Sequence, residues 1–155
     1  MGAPPGNLVH VHRSRHLPQD REAIWAVLAR FDRISDWAPK VSHSVLTTEQ
    51  DEGVGTARRV QVGRQALIET VSLWSPPGTL AYDIVGLPPV VAGVSNRWDL
   101  APDADGTFVT LTSVIDPGPS PKGKVAAKVL QLPLGKASDS MLDGLAAHLA
   151  SSTVG

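Results

Sequence analysis

The chain contains no cysteine, which removes disulfides, thiolate nucleophiles, Cys-ligated zinc and iron–sulfur clusters from its chemistry. It also lacks an excess of either charge. Fourteen Lys and Arg stand against fifteen Asp and Glu, for a formal net charge of -1. The basic residues are spread along the chain, which leaves no electrostatic footprint for a phosphate backbone, so nucleic acid is not an expected partner. No apolar run is long enough to cross a bilayer, and the N-terminus has no basic segment leading into an apolar one. A cytoplasmic protein without a transmembrane segment is expected. Gly2 fails as an acylation signal, because Gly6 stands where that motif needs Ser or Thr.

What is present suits one folded domain. The 155 residues are 42% hydrophobic and 19% charged, an ordinary globular balance at a length that buries a core without staples. Residues 1–7 are rich in Pro and Gly and read as a flexible tail, 8–150 as a single domain, and 151–155 as a C-terminal tail. In the stretch 8–15, Val9 and Val11 alternate with His10 and His12, the period of a strand. A helix is predicted to begin at Pro18, with Asp20 and Glu22 in its first turn and an apolar stripe of Ile24, Val27, Leu28 and Phe31. A shorter helical turn over 33–37, capped by Asp32, ends before Pro39.

From Val41 the period switches to two. Candidate strands at 41–49, 56–62, 65–74, 79–86, 93–101 and 107–116 are separated by Gly, Pro and Asp turns. No helix-length crossover intervenes, so they read as an antiparallel meander, which the first strand can join as a seventh. The composition turns helical over 122–150, with Gly123, Pro133 and Gly135 expected to interrupt or bend it. Met141, Leu142, Leu145 and Leu149 form the apolar face of its later part.

Several stretches resemble the polyketide cyclase/dehydrase branch of the START/Bet v 1-like superfamily, also called SRPBCC. They are Ala23-Ile24-Trp25-Ala26-Val27-Leu28, Ile34-Ser35-Asp36-Trp37-Ala38-Pro39, Gly53-Val54-Gly55-Thr56-Ala57-Arg58 and Leu67-Ile68-Glu69-Thr70-Val71, and the likeness runs in order over 8–150. The resemblance implies an α+β helix-grip fold. In it a curved antiparallel sheet of about seven strands wraps a long C-terminal helix, with two short helices between the first two strands. It also implies an internal cavity for a hydrophobic small molecule, lipid or polyketide-like; fold and function still need separate arguments.

Strand parity selects the side chains that would face such a cavity. The inward sets are Arg58, Val60 and Val62; Leu67, Glu69, Val71 and Leu73; Tyr82 and Ile84; Val94, Asn96, Trp98 and Leu100; and Val109, Leu111, Ser113 and Ile115. Arg58 and Glu69 on neighbouring strands would each be costly unpaired, so they are expected either to pair as a fold-specifying ion pair or to meet a ligand's polar group. Tyr82 and Trp98 fit a pocket wall or plain core, and Trp37 a packing anchor. His43 alternates with Val41 and Val45 and is expected inward, as an acid–base candidate or a satisfied core histidine.

The candidate ligand-binding set is therefore Arg58, Glu69, Tyr82, Asn96, Trp98 and Ser113 on strands, with Met141 and Leu145 on the helix. The catalytic candidates are Glu69, His43 and Tyr82. His10, His12 and His16 have no nearby acidic cluster to complete a metal site, and the glycines precede no helix that could cradle phosphate, so neither metal nor cofactor is expected. Three functions fit this set: a carrier of a hydrophobic molecule, a polyketide cyclase, aromatase or dehydratase, and a toxin-like or regulatory interaction protein. Monomer and homodimer are both open. The stretch Leu87-Pro88-Pro89-Val90-Val91 reads as a loop guarding the cavity mouth or as a simple turn.

Overall fold

A computed structural model describes residues 7–87 and 91–152. The rest of the expected N-terminal tail, residues 88–90 of the mouth loop and residues 153–155 lie outside them. Seven strands form one antiparallel sheet in the order β1, β7, β6, β5, β4, β3, β2. They are β1 (Val9–Leu17), β2 (Val41–Leu46), β3 (Ala57–Val62), β4 (Gln65–Ser75), β5 (Thr79–Val85), β6 (Gly93–Asp103) and β7 (Gly106–Asp116). The last six are a meander, and β1 pairs with β7 from Val9 opposite Ile115 to Leu17 opposite Thr107.

Helix α1 (Arg21–Ala29) starts later than its sequence pattern predicts. Asp20 is its N-cap rather than a first-turn residue: its carboxylate accepts the Ala23 N–H at 2.8 Å, satisfying one of the donors a helix start leaves open. The second helical piece is a 3-10 turn, Phe31–Asp36, two residues earlier than expected and without the Asp32 cap. Its early start buries Phe31 and Ile34 beneath the sheet.

Helix α2 (Pro121–Ser152) runs unbroken through Gly123, Pro133 and Gly135, where interruption was expected. Ser120 caps it through a hydrogen bond from the Gly123 N–H, and Pro121 sits where a missing N–H costs nothing. A proline inside a helix costs about 3 kcal/mol, but Ala127, Leu130 and Leu134 before and beside it, and Leu142, Leu145 and Leu149 beyond it, pack on the sheet and hold both halves in line. Gly135, and Gly144 further along the helix, serve contact rather than breakage. A Cβ at Gly135 would lie 2.3 Å from the Arg13 guanidinium, and one at Gly144 would lie 2.1 Å from the Trp37 carbonyl. At Gly144 the near atom is backbone, so this approach needs glycine, whereas at Gly135 the mobile end of Arg13 could shift aside.

The concave face of the sheet is buried against α1, the 3-10 turn and α2. Trp98, Tyr82, Phe31, Ile24, Leu80, Leu111 and Leu145 are fully buried, each worth about 1.5–3 kcal/mol of transfer free energy. Two irregularities break the alternation. Register shifts in β4 between Val71 and Leu73, which leaves Leu73 exposed and turns Trp74 in against Trp25. It shifts in β2 between Val41 and His43. A bulge inserts one residue and so exchanges the faces beyond it.

Candidate functional site

The site begins with an ion pair on neighbouring strands. Arg58 and Glu69 are direct partners across the β3–β4 ladder, so their side chains leave the same face one strand apart. The Arg58 Nε donates to Glu69 Oε1 at 2.7 Å, and Nη1 donates to the Phe31 carbonyl at 2.9 Å. Both side chains are buried, at 3% and 8% exposure. The guanidinium carbon also lies 3.7 Å from the Phe31 ring centre and 4.8 Å from that of Tyr82, so two aromatic rings share its charge. Pairing, a carbonyl and two rings together compensate the cost of taking this cation out of water. The second carboxylate oxygen of Glu69 has no hydrogen-bond partner among the described residues.

A second polar chain crosses β5, β6 and β7 at one level. Tyr82, Asn96 and Ser113 are ladder partners in sequence. The Ser113 hydroxyl donates to Asn96 Oδ1 at 2.7 Å, which turns the amide nitrogen toward the Tyr82 hydroxyl at 3.4 Å. The Trp98 indole N–H reaches the same hydroxyl, also at 3.4 Å. Burial pushes the Tyr82 hydroxyl above its ordinary pKa, and the nearby Glu69 charge adds to the rise against the smaller opposing effect of Arg58. That rise keeps the Tyr82 hydroxyl protonated further into the alkaline range.

Beside these two chains the concave face is hollow. A cavity of about 170 Å³ lies between β3–β6, the 3-10 turn and the middle of α2. Val60, Leu67, Ile84, Leu87, Leu134 and Met141 supply most of its apolar wall. Glu69 and Asn96 are its buried polar groups, Ser140 is half-buried, and the exposed Lys40 and Gln65 stand at its rim. The wall thus offers a carboxylate and an amide inside and a cation at the edge.

Residues 9–150 match the family model described as polyketide cyclase / dehydrase and lipid transport. The chain belongs to this family. Its fold is shared with an aromatase/cyclase named Zhui from Streptomyces sp. R1128, at a TM-score of 0.74 and 19% identity over 92% of this chain and 94% of that one. The di-domain aromatase/cyclase StfQ of the steffimycin biosynthetic pathway matches at a TM-score of 0.75 and 13% identity, over 96% of this chain and 52% of StfQ. Ara h 8.0201 matches at 0.74 and 13% identity, over 93% and 99%. No curated protein sequence gives a significant match. At these identities the structures share a fold with the chain, and the helix-grip architecture of the polyketide cyclase/dehydrase family is the result.

Within that family fold, the residues singled out by parity divide into three groups. Glu69, Asn96 and Met141 line the cavity. Arg58, Tyr82, Trp98 and Ser113 are buried beside it and hold the lining groups in place, as the hydrogen bonds above describe. Leu145 is wholly buried in the main core and is not among the residues that line this cavity. Trp37 packs edge-to-face on Trp98 at 5.8 Å as an anchor.

His43 is a correction: it is exposed, with Val45, while Ser44 and Leu46 turn inward. The β2 bulge carries it away from the cavity, so it is not among the residues that line it. Parity from the sequence missed the rim, since Lys40 and Gln65 lie at strand ends where alternation has no meaning. The location of Pro39 and of the tight turn at Gly63 was the available signal for both.

Proposed function

We propose that the chain binds a small hydrophobic molecule in this cavity, holding one ring of it inside with a hydroxyl directed at Glu69. The observation that carries the reading is the Glu69 carboxylate on the cavity wall, whose second oxygen has no hydrogen-bond donor among the described residues. A pocket of this size fits about one aromatic ring, since apolar cavities near 150 Å³ hold benzene. Drug-sized ligands occupy about 300–1,000 Å³. A longer lipid or polyketide-like molecule would therefore place one end inside and pass the rest over Lys40 and Gln65. Membership of the polyketide cyclase/dehydrase family supports a ligand of that kind.

The catalytic alternative has less to stand on. Glu69 would be its one buried acid–base group on the wall, and Arg58 is already committed to three partners, which disfavours its stabilising an enolate. Calorimetric titration with phenol, toluene and anisole separates the readings. Phenol is expected to bind roughly tenfold more tightly than toluene or anisole, the value of about one charge-assisted hydrogen bond, and Glu69→Gln is expected to narrow that gap. Absence of binding by all three, with the protein folded, would defeat the proposal. Turnover of a polyketide-like substrate that is lost in Glu69→Gln while affinity is kept would replace it with the catalytic one.

A further inference from the structure

The outer face of α2 carries a feature the cavity does not use. Val125, Val129 and Leu132 are 63%, 68% and 64% exposed, and their spacing puts them on one stripe turned away from the sheet. Large apolar side chains are rarely left open in a row unless something covers them. Lysines border the stripe. At about 100° per residue, Lys122 and Lys128 lie about 60° to either side of Val125, Lys124 lies further round, and Lys136 continues the stripe toward the C-terminus. From Pro121 to Ser138 there is no Asp or Glu at all. The even spread of charge along the whole chain conceals this local excess, because the acids of the helix begin at Asp139.

The same helix changes character there. Asp139 meets Arg13 at 3.3 Å, and Asp143 meets Arg15, so the exposed face of the later half is neutralised by β1. No such partner faces Lys122, Lys124, Lys128 or Lys136 among the described residues. Along the flank of the basic half runs an open groove of about 400 Å³ lined by His10, His12, Arg13 and Lys128, with Leu132 at its edge. It offers nitrogen donors beside an apolar rim.

We propose that the first half of α2 is a docking face for an anionic membrane surface, with Val125, Val129 and Leu132 entering the headgroup boundary and the lysines meeting lipid phosphates and carboxylates. An apolar stripe between lysine flanks is the pattern of helices that lie in the interface plane, and each lysine gains from the negative potential of anionic lipid. The helix does not span: among the described residues no helix is long and apolar enough to cross a membrane. A second copy of the chain is the weaker occupant. A two-fold contact would set each lysine border against its own copy, and like charges oppose such an approach. Nucleic acid would leave the apolar stripe uncovered.

Flotation of the whole chain with vesicles tests this. Vesicles of phosphatidylserine and phosphatidylcholine are expected to carry the protein upward at low salt, vesicles of phosphatidylcholine alone to leave it behind, and added salt to release it. Replacing Lys122, Lys124 and Lys128 by Gln should weaken binding roughly a hundredfold, about fivefold for each lysine. Val129→Asp with Leu132→Asp should weaken it by about tenfold or more. All five side chains are exposed, so circular dichroism and melting should stay unchanged and certify folded variants. Equal binding to both vesicle types, full binding by the triple Gln variant, or a dimer in light scattering that the Asp pair dissolves would each overturn the proposal. The last would make the face a contact between copies.

Discussion

The two ends of the concave face are built on the same alternation and filled in opposite ways. Toward β6, β7 and the later half of α2, Trp98, Leu100, Val109 and Leu111 are buried with Leu145 and Leu149, backed by Trp37 and Phe31. Toward β3 and β4, Val60, Leu67 and Ile84 face Ala137, Ser140 and Met141 across open space. Side-chain volume is the difference. Two indole rings close the first end, whereas the helix brings Ala137 and Ser140 to the second, and these are too short to reach the sheet. The Arg58–Glu69 pair and the Tyr82–Asn96–Ser113 chain stand at the boundary. A sheet of one parity can thus be core at one end and binding site at the other.

Truncation should separate the ends most strongly. Trp98→Ala leaves a hole where a whole indole is buried and removes the indole donor from Tyr82, and it is expected to cost about 3–5 kcal/mol. Met141→Ala enlarges space that already exists and is expected to cost about 2 kcal/mol or less. Urea denaturation of both variants measures the gap. Equal costs would mean that the hollow end is packed in solution and that the contrast is lost.

The boundary comes next in size. Glu69→Leu leaves the Arg58 cation buried without its counter-charge and is expected to cost about 3 kcal/mol or more. Removing both charges in Arg58→Met with Glu69→Leu should recover a good part of that loss, since the penalty lies in the orphaned ion rather than in the missing attraction. A double variant as unstable as the sum of the two singles would show that the groups act independently. It would also return Arg58 to the pool of residues free to meet a ligand.

How far the sequence carried the fold and the site follows from these same residues. Period two is a strong signal where one face is buried and the other wet, and the inward set Val94, Asn96, Trp98 and Leu100 came out of it intact. The cost of unpaired charge brought Arg58 to Glu69 without coordinates. Parity fails at bulges, which is why Leu73 and His43 point outward. It is silent on filling, so Leu145 and Met141 look alike in sequence although one is core and the other wall. Local rules for Pro133 and Gly135 lost to tertiary packing along α2. The lysine excess of that helix does not show in the charge of the whole chain, because acids elsewhere balance it.

The smallest effect sits on the solid side of that boundary, beside the cavity-lining Asn96, and concerns the one tyrosine of the chain. Tyr82 holds its proton more tightly folded than unfolded, because burial and then the Glu69 charge raise its pKa. The unfolded chain therefore loses this proton first as pH rises, and the folded state binds more protons than the unfolded one over the alkaline interval between the two values. Stability contributed by this group is whole below about pH 10, the ordinary tyrosine value, and declines above it. Because no other tyrosine contributes, tyrosinate absorbance reports Tyr82 alone, and it is expected to rise together with the loss of tertiary circular dichroism. In Tyr82→Phe the alkaline decline should shrink. Tyrosinate appearing in a fully folded protein would place the hydroxyl within reach of water, and the boundary would then be as open as the hollow end.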